Sequence, residues 1–168
     1  GSEMCIRDSI DDADALLIIG SNPRVEAAVL NARIRRNWLA TQMPVGVIGE
    51  NADLTYTKQW LGDETSLVDD ILSGENKFAA KLKKARRPMI IVGMGALVRA
   101  DGASILGKAR QIAENLGVVT DKWNGFNILH TAAARVAGLD MGFVPDRGGM
   151  NVAAMAAAAK AGSLDVLW

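Results

Sequence analysis

The chain has 168 residues, enough for one domain with a sizeable core, and its 49% hydrophobic and 23% charged residues are those of an ordinary globular protein. Lys+Arg and Asp+Glu both number 19, so the overall charge gives no reason to expect nucleic acid or an anionic membrane as partner. A single cysteine, Cys5, and a single histidine, His130, exclude an internal disulfide framework and a self-contained Cys- or His-cluster metal site.

Residues 1–9 read GSEMCIRDS, and residues 4–9 look like a translated sequencing adapter; they are expected to stand outside the fold. No basic segment followed by an apolar stretch marks a signal peptide, and no apolar run approaches the ~20 residues that span a bilayer, so cytoplasm or an equivalent compartment is expected.

From residue 10 onward apolar runs alternate with helical patterns, the signature of βαβ units: a Rossmann-like α/β fold, its mostly parallel sheet flanked by helices. Residues 15–19 form the first expected strand, apolar throughout as in a strand covered on both faces. It runs into Gly20-Ser21-Asn22-Pro23 and a helix with two apolar stripes, Val25, Val29 and Ala32 on one and Leu30, Ile34 and Trp38 on the other. Residues 45–48 form the second strand, and 50–64 read as irregular. Short helices fit 65–72 and 77–85. Residues 89–92 form the third strand, ending in Gly93-Met94-Gly95. Asp101 is expected to cap a helix carrying Ile105, Ala109, Ile112 and Leu116, closed by Gly117. A fourth strand fits 118–120, helices fit 127–137 and 152–161, and 165–168 looks like a last strand cut short. Candidate sub-lobes are 10–75 and 76–168.

Two strand-to-helix turns could carry chemistry. Gly20, Ser21, Asn22 and Pro23 could offer backbone N–H groups and a helix start to a phosphate, or form a capped turn with no ligand, Asn22 accepting and Pro23 entering the first turn. Gly93 and Gly95 lack the third glycine of a dinucleotide fingerprint, its place being taken by Val98; the plainer reading is a tight turn. Arg33, Arg35 and Arg36 form a basic cluster, a solvated face or a contact for an anionic partner. His130 reads as a packed or capping residue. No carboxylate pair has acid–base spacing, so no catalytic residue is assigned. Seven methionines suit core gaps, and Trp38, Trp60, Trp123 and Trp168 suit core or interface anchoring.

Several stretches agree, in order, with one known family. Residues 11–20, Asn22-Pro23-Arg24-Val25-Glu26-Ala27, residues 31–35, Asp53-Leu54-Thr55-Tyr56, residues 87–93 and 123–130 resemble the large iron–sulfur subunit of NADH:quinone oxidoreductase, respiratory complex I, over residues 10–168. The matching part is that subunit's molybdopterin-oxidoreductase-like region. The resemblance implies a scaffold with no molybdenum cofactor, no metal and no activity of its own, truncated at both ends. It implies iron–sulfur clusters in an N-terminal region absent here, other peripheral-arm subunits and the rest of the polypeptide as partners, and no nucleic acid or membrane insertion. It places the protein peripherally on the cytoplasmic face of the bacterial inner membrane, or on the mitochondrial matrix side. In cofactor-bearing relatives the Asn-Pro turn lies near the pterin dinucleotide; Asn22 and Pro23 match it, whereas Ala28 stands where many complex I subunits have Pro. Two alternatives remain open: the cofactor-binding segment of an active molybdopterin oxidoreductase, and the central domain of a thiamine-diphosphate enzyme, whose general shape residues 85–117 share.

Overall fold

A computed structural model describes residues 9–164. Cys5, residues 1–8 of the adapter-like peptide, and the expected last strand at 165–168 with Trp168 lie outside the described residues. The chain forms two compact units, one running to Thr131 and one starting at Ala132. In chain order the first holds β1 (Ala15–Ile19), α1 (Pro23–Glu26), α2 (Ala28–Thr41), β2 (Val45–Ile48), β3 (Gln59–Gly62), α3 (Ser66–Ser73), α4 (Lys77–Lys84), β4 (Pro88–Gly93), α5 (Met94–Leu97), α6 (Gly102–Leu116), β5 (Val119–Thr120), β6 (Trp123–Asn124) and β7 (Phe126–Leu129). The second holds α7 (Ala133–Asp140) and α8 (Val152–Lys160).

Five strands form one parallel sheet in the order β3-β2-β1-β4-β7. β1 and β4 are interior, as their unbroken apolar runs require, and every residue of both is buried. Alternate residues feed two cores. Leu17, Ile19, Ile90 and Val92 meet Val68 and Ile71 of α3, Phe78 and Leu82 of α4, and Ile105, Ala109 and Ile112 of α6. Leu16, Ile18, Val45, Val47, Met89 and Ile91 meet Leu30 and Ile34 of α2, with Ile10, Leu54 and Tyr56. β1 and β4, on either side of residue 75, are paired from Ala15↔Pro88 to Ile19↔Val92, so one sheet spans the two expected sub-lobes.

Four sequence expectations change. Residues 50–64 are not wholly irregular: β3 lies there as an edge strand, and its partly exposed residues leave no apolar alternation to read. Val119–Thr120 does form a strand, but it pairs antiparallel with β6 in a separate ribbon. The sheet position beside β4 goes to β7, which overlaps the start of the expected helix 127–137, because Phe126 to Leu129 pair with Ile90 to Gly93. A short apolar run is ambiguous between strand and helix, and only that distant pairing decides it. Finally, Asp101 makes no side-chain cap to α6; its carboxylate instead accepts from Arg99 Nε at 2.8 Å. Gly117 does end α6 in a left-handed conformation.

In the second unit, Asn151 caps α8 by accepting from the Ala154 N–H at 2.9 Å. No residue of this Ala-rich helix is buried.

Candidate functional site: the turns after β1 and β4

The chain leaves β1 toward β2 on one side, while β4 leads toward β7 on the other. The carboxyl ends of β1 and β4 therefore form the switch point where doubly wound sheets open a crevice for ligands. Both turns singled out in the sequence meet there, and they meet backbone to backbone. A Cβ added to Gly20, whose φ is +62°, would lie 2.4 Å from the Ala96 nitrogen. One on Gly93 would lie 2.4 Å from Ser21 Cβ and 2.5 Å from the Gly20 oxygen, and one on Gly95 2.7 Å from that same oxygen. These glycines let one turn press against the other. Val98, at the place of a third glycine, is 72% exposed and takes no part.

The donors of the β1 turn are taken from within. The buried Ser21 hydroxyl donates to Glu26 Oε2 at 2.8 Å, and the Asn22 backbone N–H donates to Glu26 Oε1 at 2.9 Å. Pro23 opens α1 as expected, but the Asn22 side chain does not cap it. Asn22 Nδ2 reaches Glu50 Oε2 at 3.4 Å, and Asn22 Oδ1 is buried without a partner. Glu26 thus occupies the anion position of the turn, doing what the distal carboxylate of a capping box does. It was missed in the sequence, although a Glu four residues after Asn22 is the visible signal.

Around this junction the loops are tied down. Arg24 bonds the Asp53 carboxylate at 2.7 Å and its carbonyl at 3.0 Å. The Asp53 carboxyl is held below the usual carboxylate range, first by the Thr55 N–H it accepts and then by Arg24. Asn31 Nδ2 donates to the Leu54 carbonyl and Tyr56 donates its hydroxyl to Asn31 Oδ1 at 3.0 Å. Burial pushes the Tyr56 phenol well above its ordinary value. Of the arginine cluster, Arg36 and Arg33 share Asp11 at 2.5 and 3.5 Å, and Arg35 donates to the Thr55 carbonyl at 3.2 Å. They fasten α2 to its own chain. His130 follows β7 rather than lying in a helix, with Nδ1 shielded and unpartnered. Asn127, buried on β7, leaves Nδ2 unpartnered too. Trp38 and Trp123 pack against the core edge, and Trp60 donates to the Gly49 carbonyl at 2.8 Å.

A cavity at this end of the sheet, between Gly20, Gly49, Asp63 and Arg99, measures about 80 Å³. Ligand pockets run from roughly 300 Å³ upward, so it holds a few waters at most. Among the described residues no three His, Cys, Asp or Glu side chains come together as a metal site.

With that geometry in place, residues 3–168 match the molybdopterin oxidoreductase family. The chain belongs to that family. Among curated proteins it is similar to mitochondrial NADH dehydrogenase [ubiquinone] iron-sulfur protein 1 of Solanum tuberosum, 42% identical over 137 residues, which is 82% of this chain and 19% of the relative. It is also similar to an NADH-quinone oxidoreductase subunit of Rickettsia bellii, 42% identical over 134 residues, 80% of this chain and 20% of that protein. The NADH-ubiquinone oxidoreductase 75 kDa subunit of Reclinomonas americana is 41% identical over 133 residues, 79% of this chain and 19% of that protein. The chain spans about a fifth of the length of these relatives. The family name implies a pterin cofactor. The β1 turn does not fit the phosphate of such a group: its hydroxyl and N–H already hold a carboxylate, Glu50 stands beside them, and the space above the glycines is filled by Ala96 and Ser21.

Proposed function

We propose that this chain is a non-catalytic scaffold region of the large subunit of an NADH:quinone oxidoreductase, with electron transfer carried by iron–sulfur clusters elsewhere in the polypeptide. The observation that carries the reading is the Glu26 carboxylate seated on Ser21 and Asn22, a self-satisfied turn in the place where a family member would take its cofactor. Gly20, Ser21, Asn22, Pro23, Gly93 and Gly95 are then the retained frame of a binding site, working as a packing junction. No cofactor is held by this segment. Its partners are the rest of the same polypeptide and other peripheral-arm subunits. It lies on the cytoplasmic face of a bacterial inner membrane or on the matrix side of the mitochondrial one, peripherally; no helix of the described residues is long and apolar enough to cross a membrane.

The test is NADH:quinone turnover of the whole enzyme carrying Glu26→Gln or, separately, Asn22→Ala, normalised to assembled complex. The scaffold reading expects turnover unchanged within about twofold, because neither group meets a reacting atom. A large loss at normal assembly and normal cluster content would overturn it.

A further inference from the structure

The flank where α3, α4 and α6 meet carries a run of cations with few partners among the described residues. Phe78 and Leu82 anchor α4 in the core. Its outward side holds Lys77, Lys81, Lys83 and Lys84, and Arg86 and Arg87 follow; all are exposed, and residues 77–87 contain no acid. Lys81 bonds Gln59 at 3.0 Å, and Arg87 pairs with Asp12 at 3.0 Å. The side chains of Lys77, Lys83, Lys84 and Arg86 make no hydrogen bond or ion pair among the described residues. In a chain of zero net charge this is a strongly basic strip.

Beside the strip runs a groove of about 450 Å³, walled by Ile71, Leu72, Ala79, Leu82, Ile112 and Leu116, with Lys83 at its margin. Its volume lies in the range that accepts a ligand group. Ala80, also on the groove wall, stands three residues after Lys77 and four before Lys84, so both lysines share its face of the helix. An apolar hollow and unpaired cations thus sit side by side.

We propose that this groove docks an acidic segment of a neighbouring subunit, whose apolar anchor side chain enters between α3, α4 and α6 while its carboxylates meet Lys77, Lys83 and Lys84. This rests on the reading of the chain as part of a multi-subunit oxidoreductase. The chemistry separates this partner from other polyanions. An intact bilayer surface would meet the exposed cations but leave the hollow between the helices unfilled, and the groove's lining includes no aromatic ring on which a base could stack. A peptide supplies both the apolar side chain and the negative charge, the pairing of buried anchor and charged rim that specific interfaces use.

The test uses the full-length protein in its assembled complex with benzoylphenylalanine in place of Ala80, irradiated and analysed by peptide mass spectrometry. The expected product is an adduct to an acidic stretch of another subunit. Its yield should fall about tenfold when Lys77→Glu, Lys83→Glu and Lys84→Glu are combined, since like charges now face each other. The Arg versions of the same three positions should keep the adduct, as should Lys160→Glu in the second unit; the Arg versions hold the test open should the charge-reversed helix not fold. An adduct only within the same polypeptide, to lipid or to RNA, one indifferent to charge reversal, or none at all would overturn the proposal. If the protein assembles into something other than an NADH:quinone oxidoreductase, that reading falls, while an acidic-segment adduct in that assembly still carries the groove.

Discussion

At the carboxyl end of the sheet the molecule answers its own chemistry: the Ser21 hydroxyl and Asn22 N–H end on Glu26, Arg24 ends on Asp53, and Gly20 and Gly93 are filled against the opposing turn. On the flank of α3, α4 and α6 the reverse holds, with Lys77, Lys83 and Lys84 unanswered among the described residues and Lys83 bordering an apolar hollow. One region is a pair of turns and the other a set of helix faces, and both belong to the same compact unit. The donors of a turn at a sheet's switch point can be met by a carboxylate of the same chain, while a helical flank sets Lys83 beside an apolar hollow. Position in a fold says where a site could be; the state of its donors and its free volume say whether one is there.

The comparison breaks first at Gly20. Gly20→Ala would force a Cβ to within 2.4 Å of Ala96 at a φ of +62°, and should destabilise the full-length protein by about 3 kcal/mol in denaturant unfolding. A loss under about 0.5 kcal/mol would mean that the two turns do not press together and that room for a ligand remains.

Glu26→Ala removes an acceptor from a buried hydroxyl and from a backbone N–H at once. It should lower stability by about 1.5 kcal/mol, whereas Asn22→Ala, which deletes only a long contact to Glu50, should cost less than about 0.5 kcal/mol. Equal losses would return the capping role to Asn22.

Tyr56→Phe should cost about 1 kcal/mol at neutral pH by leaving Asn31 Oδ1 without its donor. It should also change the alkaline limb. Burial raises the folded-state pKa of Tyr56, so the folded protein holds the phenolic proton more tightly than the unfolded chain does. That contribution is complete below the ordinary tyrosine value of about 10 and is lost as pH rises beyond it. Thermal melts across that range should show the Phe variant losing less stability than the parent; parallel curves would contradict the burial of the phenol.

The smallest effect belongs to the flank. Lys83→Gln and Lys84→Gln remove charges that have no partner among the described residues, and each should shift stability by no more than about 0.5 kcal/mol in the same unfolding assay. A larger loss would reveal an intramolecular partner and remove the contrast between the two regions.

Strand-forming stretches were legible where one kind of residue filled them. Residues 15–19 and 89–92 are apolar end to end, and such runs have nowhere to go but the middle of a sheet covered on both sides. Gly20, Gly93 and Gly95 were legible as two separate tight turns, since glycine at a strand end marks one, but that the two turns meet was not. β3 and β7 were not: one shows no alternation, and the other is four residues whose partner, β4, lies more than thirty positions earlier in the chain. The basic run at 77–87 was in plain view but unremarked, because a net charge of zero sums over both regions of the surface.

By itself, then, the sequence determined the fold class, the central strands, the two turns and the shortage of metal ligands, all of which follow from residue type and short-range order. Tertiary structure alone decided that Glu26 closes the β1 turn, that Asp101 pairs with Arg99 rather than capping α6, that Arg33 and Arg36 share Asp11, and that Lys83 borders a hollow. The reason is common to them all. Which polar group finds which partner, and how much space remains between helices, depends on side-chain directions and on the packing of elements distant in the chain. Neither is encoded in any local window of residues.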